Sequence, residues 1–364
     1  MSAFVISGRR SAVVPRGGAF ARLGLVELAA PIVAACLADA GIDVDEVGEV
    51  IVSNALGAGG NIARSVALAS GLPERVAGLT VDRQCAGGLD AILLARAMVV
   101  AGVADVVVAG GVESYSRRPL RLRTDPTGGP AVAYDRPPFT PWPGRDPEMN
   151  AAAEALARQL GIGREAQDLW AVQSHAKAGV RGRFAGEIVG LCGVVRDEFT
   201  RTLTPEITRR AKVLCGSVTA ANAAVAADAA AFVVVVSERR ARRVGRAVRI
   251  AGGATLGGRP EEPGLAPVVA IAEVLARAGI RPEDVQLFEI MEAYAVQAMA
   301  CVAKAGLDPA RVNLGGGALA RGHPIGASGA VLAVRLFHDL RSGHGLAAIA
   351  AAGGIGTALL MNAG

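Results

Sequence analysis

The chain has 364 residues, 52% of them apolar and 20% charged, with a formal net charge of +5 and a mean hydropathy of +0.39. That balance can bury a large core and excludes disorder over most of the length, and no stretch of about 20 residues is at once apolar, charge-free and poor in glycine, so no membrane span is expected. With only 8 Phe, 3 Tyr and 2 Trp and no dense basic helix, nucleic acid is not an expected partner.

The N-terminus runs from a short apolar stretch straight into Arg9-Arg10, the reverse of the basic-then-apolar order of a secretory signal. A cytoplasmic protein is expected. Next, Leu37-Ala-Asp-Ala-Gly41-Ile42-Asp-Val-Asp-Glu-Val47 reads as the end of an amphipathic helix, a glycine C-cap and an acidic turn leading to a strand at Val50-Ile-Val. Cys85 then stands in Gln84-Cys85-Ala-Gly-Gly-Leu89, at the start of a helix. A helix N-terminus favours a thiolate and its free N–H groups can hold an oxyanion, although a strand-end cysteine is also a common structural thiol. Cys36, Cys192, Cys215 and Cys301 lie far from it and from one another, without a C-x-x-C pair, so no metal site is expected.

Further along, Asp105-Val-Val-Val-Ala-Gly-Gly and Phe232-Val-Val-Val-Val predict strands buried on both faces, within an α/β organisation. Residues 117–205 between them change character. Arg and Pro dominate as far as Arg145, and a helical stretch is predicted from Met149 to Ala178. This reads as an inserted loop domain, long enough to cover a ligand. Arginines cluster at Arg117, Arg118, Arg121 and Arg123, and again from Arg239 to Arg249, as either a solvated surface or a seat for a phosphate-bearing ligand.

The first helix–turn–strand pattern then returns. Leu275-Ala-Arg-Ala-Gly279-Ile280-Arg-Pro-Glu-Asp-Val285 lies 238 residues after Leu37, and a second β-like run follows at Leu287-Phe-Glu-Ile. The same offset sets Cys85 opposite His323, which stands in Gly315-Gly-Gly-Ala-Leu-Ala-Arg-Gly-His323-Pro-Ile-Gly-Ala-Ser-Gly-Ala330. Each precedes a Gly-rich helix start. The second run lacks G-K-[ST] and a G-x-S-x-G elbow, which sets aside a Walker loop and a serine hydrolase.

Taken together, these blocks resemble the thiolase family of coenzyme A-dependent acyltransferases. The resemblance rests on Gln84-Cys85-Ala-Gly-Gly-Leu, Ala109-Gly-Gly-Val-Glu-Ser-Tyr-Ser116, Gly216-Ser-Val-Thr-Ala-Ala-Asn222, Glu292-Ala-Tyr-Ala295, Asn313 to Gly329, and Gly353-Gly-Ile-Gly356. It implies two duplicated βαβαβαββ halves in a five-layer αβαβα core, with residues 1–116 plus 206–244 as the first half, 117–205 as the loop domain and 245–364 as the second. It also implies Cys85 as the acylated nucleophile, His323 as its base, and backbone N–H groups of Cys85 and Ala352 as the oxyanion hole. Met149, Ala224, Ala293 and Tyr294 match coenzyme A-binding or acyl-pocket positions. An acyl-CoA thioester is the implied substrate, with no permanently bound cofactor, and the implied assembly is a homodimer or homotetramer.

Several positions depart from the family pattern. The second cysteine, which serves as acid/base at the substrate α-carbon, is Ala350, and the Asn that positions a water beside the His is Met291. The Ser of the Asn-Ala-Ser block is Ala224, and the His before Met149 is Glu148. Alanine cannot remove a proton from carbon. Three functions therefore stand open: an acetyl-CoA acetyltransferase or 3-ketoacyl-CoA thiolase; an acyl-enzyme discharged by decarboxylative condensation, a heteroatom acceptor or water; and a non-catalytic binding or scaffold subunit.

Overall fold

Runs of buried valine that alternate with Ala/Leu-rich helices set the architecture. In the computed structural model, which describes residues 2–57, 59–180 and 182–364, the principal strands are β1 (Ala3–Arg10), β2 (Glu49–Ser53), β3 (Leu79–Val81), β4 (Val106–Glu113), β5 (Ala227–Ser237), β6 (Val248–Gly257), β7 (Val285–Ile290), β8 (Gly343–Ala351) and β9 (Ile355–Ala363). The longer helices are α1 (Leu25–Ala40), α2 (Ile62–Ala69), α3 (Gly87–Val100), α4 (Met149–Leu160), α5 (Arg164–Ala178), α6 (Ala266–Ala278), α7 (Ala295–Lys304) and α8 (Ile325–Asp339).

The two halves repeat one topology. In the first the strand order is β3-β2-β4-β5-β1, with β2 parallel to β3 and β4 and the other pairs antiparallel. In the second it is β7-β8-β9-β6, with β7 parallel to β8 and the other pairs antiparallel. Val312 forms a parallel bridge to Phe288 where the first half has β3. The halves join edge to edge through Phe4 with Arg249 and Val5 with Val248. Gly41 and Gly279, at φ 58° and 66°, end α1 and α6 in the left-handed conformation that glycine adopts without steric cost.

Helices α1 and α2 cover the outer face of the first sheet, where Leu28, Ile32 and Val66 pack on Val50, Val108 and Phe232. Helices α6 and α7 do the same for the second, with Ile271, Val274 and Cys301 on Phe288, Leu346 and Leu360. Between the sheets lie α3 and α8, whose Leu89, Ile92, Val331 and Leu336 meet Val107 and Val233 on one side and Ile349 and Leu359 on the other. The result is a five-layer αβαβα fold. Strands covered on both faces need no polar alternation, hence the unbroken valine runs.

Two sequence expectations are corrected. The helical stretch from Met149 to Ala178 is two helices, because Gly161 adopts φ 65° and closes α4. The strand expected from Leu287 already begins at Val285. Residues 117–205 also carry a feature that was not expected, a buried ionic anchor to the core. Arg10 of β1 donates to Glu187 at 2.7 Å and to Asp197 at 2.6 and 3.0 Å, and Arg335 of α8 pairs with Glu187. Burial opposes charge on both carboxyls, but the arginines outweigh it and hold them below the ordinary range. Removing one partner from such a cluster costs about 3–5 kcal/mol. Among the described residues, no helix is long and apolar enough to cross a membrane.

The crossing of α3 and α8 leaves no room for a side chain. A Cβ on Gly329 would lie 2.6 Å from the Leu89 backbone N and 3.2 Å from the Gly88 carbonyl carbon. Gly329→Ala is expected to lower stability by about 1–3 kcal/mol, seen as a reduced urea midpoint with an unchanged slope. An unmoved midpoint would mean that the helices do not approach this closely.

Candidate active site

Cys85 and His323 come from equivalent places in the two halves. A single 3₁₀ turn, Gln84–Ala86, links β3 to α3 and carries the cysteine, with Gln84 at φ 49°. His323 immediately precedes α8, and its backbone is fixed by N–H donation to the Val225 carbonyl at 2.7 Å and a bridge to Ala226. The central helices therefore begin side by side. Cys85 Sγ lies 3.1 Å from His323 Nε2, and His323 Nδ1 lies 2.7 Å from Ser328 Oγ, one turn into α8.

Both residues face a cavity of about 680 Å³. Met149, Ala224, Ala293, Tyr294, Ala350 and Ala352 also line it, so most of the sequence-derived positions share one wall system. The chain is locally tied to achieve this. Ala224 N–H donates to the Ala293 carbonyl at 2.9 Å, Ala223 bridges Tyr294, and the Tyr294 hydroxyl donates to Asn150 Oδ1 at 3.0 Å. Glu148 caps α4 by accepting from Asn150 N–H at 2.8 Å. Met291 is the exception. It is 1% exposed, packs in the central core, and does not line the cavity.

Electrostatics correct one expectation. The helix start was expected to favour a thiolate, but burial pushes the Cys85 thiol up to about 12, against the lowering effect of the N–H groups of Cys85 and Ala352. Burial also pushes His323 down to about 4. Ser328 gives the ring a neutral partner rather than a carboxylate, so nothing charged holds an imidazolium in place. Both shifts favour the neutral thiol and imidazole. For Nε2 to accept a proton the ring must carry its own on Nδ1, and Ser328 Oγ is placed to receive that hydrogen bond.

Two buried carboxylates that the sequence reading passed over organise the surrounding loops. Glu113, at the end of β4, accepts from Asn54 Nδ2 at 2.7 Å and from the N–H groups of Ala55 and Gly326 at 3.0 Å each, tying the loop after β2 to the start of α8. Burial raises its carboxyl to about 7 despite those donors. Glu292 accepts from Trp170 Nε1 at 3.0 Å, Ser174 Oγ at 2.7 Å and Asn313 Nδ2 at 2.9 Å, which binds the loop after β7 to α5 and the glycine-rich run. Its place in the Glu292-Ala-Tyr block was the available signal. Arg118, Arg121 and Arg136 also line the cavity. In the second arginine cluster, Arg239, Arg240 and Arg242 pair with surface carboxylates and line no part of this cavity.

Comparison with known proteins matches the model of the thiolase N-terminal domain to residues 3–239 and that of the thiolase C-terminal domain to residues 244–363. An acetyl-CoA acetyltransferase of Cupriavidus necator is 38% identical over 388 aligned residues, covering 98% of each chain. Among solved structures, the Acat5 thiolase of Ascaris suum in complex with coenzyme A superposes with a TM-score of 0.93 at 30% identity, covering 100% of both chains. The acetyl-CoA acetyltransferase of Bacillus anthracis gives 0.91 at 34% identity, covering 100% of this chain and 98% of that one.

The neutral pair has a spectroscopic consequence. Subtracting the near-240 nm absorbance of Cys85→Ala from that of the unsubstituted protein is expected to show no thiolate at neutral pH and to show it only as pH approaches about 12. A full thiolate signal at pH 7 would mean that the ion pair is the resting state.

Proposed function

The chain belongs to the thiolase family and is an acyltransferase acting on coenzyme A thioesters, and from that premise we propose that it works through an acyl-enzyme on Cys85, as an acetyl-CoA acetyltransferase or 3-ketoacyl-CoA thiolase does. The observation that carries this reading is the 3.1 Å approach of Cys85 Sγ to His323 Nε2 inside a cavity that admits a thioester. In the first half-reaction the sulfur attacks the thioester carbonyl while its proton passes to Nε2. The oxyanion meets the backbone N–H groups of Cys85 and Ala352, which already act on the sulfur. Coenzyme A departs with the proton from His323. Because the pair starts neutral, charge develops only as the carbonyl reacts, where those N–H donors and the positive end of α3 can stabilise it.

The second half-reaction admits a variant reading, favoured by Ala350 and Met291. Neither can move a proton at carbon, so the same acyl-enzyme could be discharged by decarboxylative condensation, by a heteroatom acceptor or by water. A purely structural subunit is disfavoured, since a scaffold has no need of a thiol, an imidazole and a hydroxyl aligned through 3.1 and 2.7 Å contacts.

Acetyl-CoA is expected to leave one acetyl group on the protein in intact-mass analysis, with none on Cys85→Ala, and His323→Ala is expected to slow its appearance by about 10²-fold. Label retained by Cys85→Ala, or an unchanged rate in His323→Ala, would contradict this reading.

A further inference from the structure

Cleavage of a 3-ketoacyl thioester leaves an electron pair on the α-carbon of the departing acyl-CoA, and that carbon must receive a proton. Ala350 and Met291 have none to give. Most other polar side chains in the cavity wall are already committed. His323 is engaged by Cys85 and Ser328, and the Tyr294 hydroxyl donates to Asn150. Arg118 pairs with Asp135, Arg121 donates to the Leu56 carbonyl at 2.8 Å, and Glu261 pairs with Arg145 and Arg259.

Tyr115 differs. It lines the same cavity, half-buried, and its hydroxyl makes no hydrogen bond to any other described residue. Its backbone neighbours are clamped on both sides and the Arg118 guanidinium stands 5.9 Å over its ring, neither of which uses its oxygen. Glu113 ties down the preceding strand end, Ser116 N–H donates to Asp228 Oδ1 at 3.0 Å, and Arg117 N–H donates to Ser114 Oγ at 3.1 Å.

We propose that Tyr115 is the general acid of carbon–carbon cleavage, delivering its phenolic proton to the α-carbon as the 3-ketoacyl thioester splits onto Cys85. This rests on the Cys85 acyl-enzyme. The balance is as follows. Sγ bonds to the 3-keto carbon as the thiol proton moves to His323. The bond between C2 and C3 breaks, its electron pair goes to C2, and C2 takes the proton of Tyr115. The resulting phenolate takes the thiol proton of incoming coenzyme A, whose sulfur attacks the acyl-Cys85 carbonyl. Cys85 leaves as thiolate and regains its proton from His323.

The environment suits an acid better than a base. Burial first, then the fields of Cys85 and Glu113, push the Tyr115 hydroxyl above its ordinary value, so the protonated form persists at neutral pH. A base for condensation would need the phenolate. By microscopic reversibility the same oxygen, as phenolate, would take the α-proton in the condensation direction.

Tyr115→Phe removes one oxygen and is expected to lower kcat for acetoacetyl-CoA thiolysis by about 10²-fold, with a much smaller change in KM. Placing Ala350→Cys in the same background supplies a thiol at the cavity wall, and recovery of about tenfold or more supports a missing proton donor as the defect. A Tyr115→Phe kcat within about twofold of the unsubstituted protein overturns the proposal. So does an unsubstituted protein that acetylates Cys85 yet does not cleave acetoacetyl-CoA. Loss of thiolysis together with loss of Cys85 acetylation in Tyr115→Phe marks a collapsed site and also counts against it. Failure of the unsubstituted protein to acetylate Cys85 instead sinks the acyl-enzyme reading itself.

Discussion

The contact between Cys85 and His323 depends on how closely α3 and α8 approach, because each residue stands at the N-terminus of one of these helices and neither half can build the site alone. Two helices held backbone to backbone bring their starts to a single point. At that point a thiol from one half meets an imidazole from the other at 3.1 Å. Both groups sit half-buried on the cavity wall, where desolvation raises the thiol and lowers the imidazole. Packing thus pushes both groups toward their neutral forms.

The remaining cavity is held by charges that never meet substrate in this account. Glu113 links the loop after β2 to α8, and Glu292 links the loop after β7 to α5. The Arg10–Glu187–Arg335 cluster ties residues 117–205 to both the first sheet and the central helix layer. That segment also contributes Met149, Arg121 and Arg118, which stands over the Tyr115 ring, to the cavity, so its anchoring bears directly on the shape of the cavity.

Much of this was legible in the chain. The 238-residue offset sets Cys85 opposite His323 in the sequence itself, because duplication preserves the place of a helix start in each half. The valine runs announced strands buried on both faces. Less legible were features created by distance in sequence. Glu187 and Arg10 are 177 residues apart, and nothing local marks either as buried. The upward shift of the Cys85 thiol was illegible for a related reason. A helix N-terminus can be read from sequence, whereas desolvation comes from residues scattered along the chain, and here desolvation is the larger effect. Tyr115 lies within the Ala109–Ser116 block, yet its uncommitted hydroxyl is a property of the folded cavity, where Tyr294 is bonded to Asn150 and Tyr115 is not.

The central claim is that acyl transfer passes through a covalent intermediate on Cys85, formed without help from a second substrate. Isotope exchange between labelled free coenzyme A and unlabelled acetyl-CoA, with no other acyl acceptor present, tests it most directly, since a ping-pong intermediate permits such exchange. The account predicts exchange at a rate set by acylation and its complete loss in Cys85→Ala. No exchange in the unsubstituted protein, or exchange that survives Cys85→Ala, would contradict it.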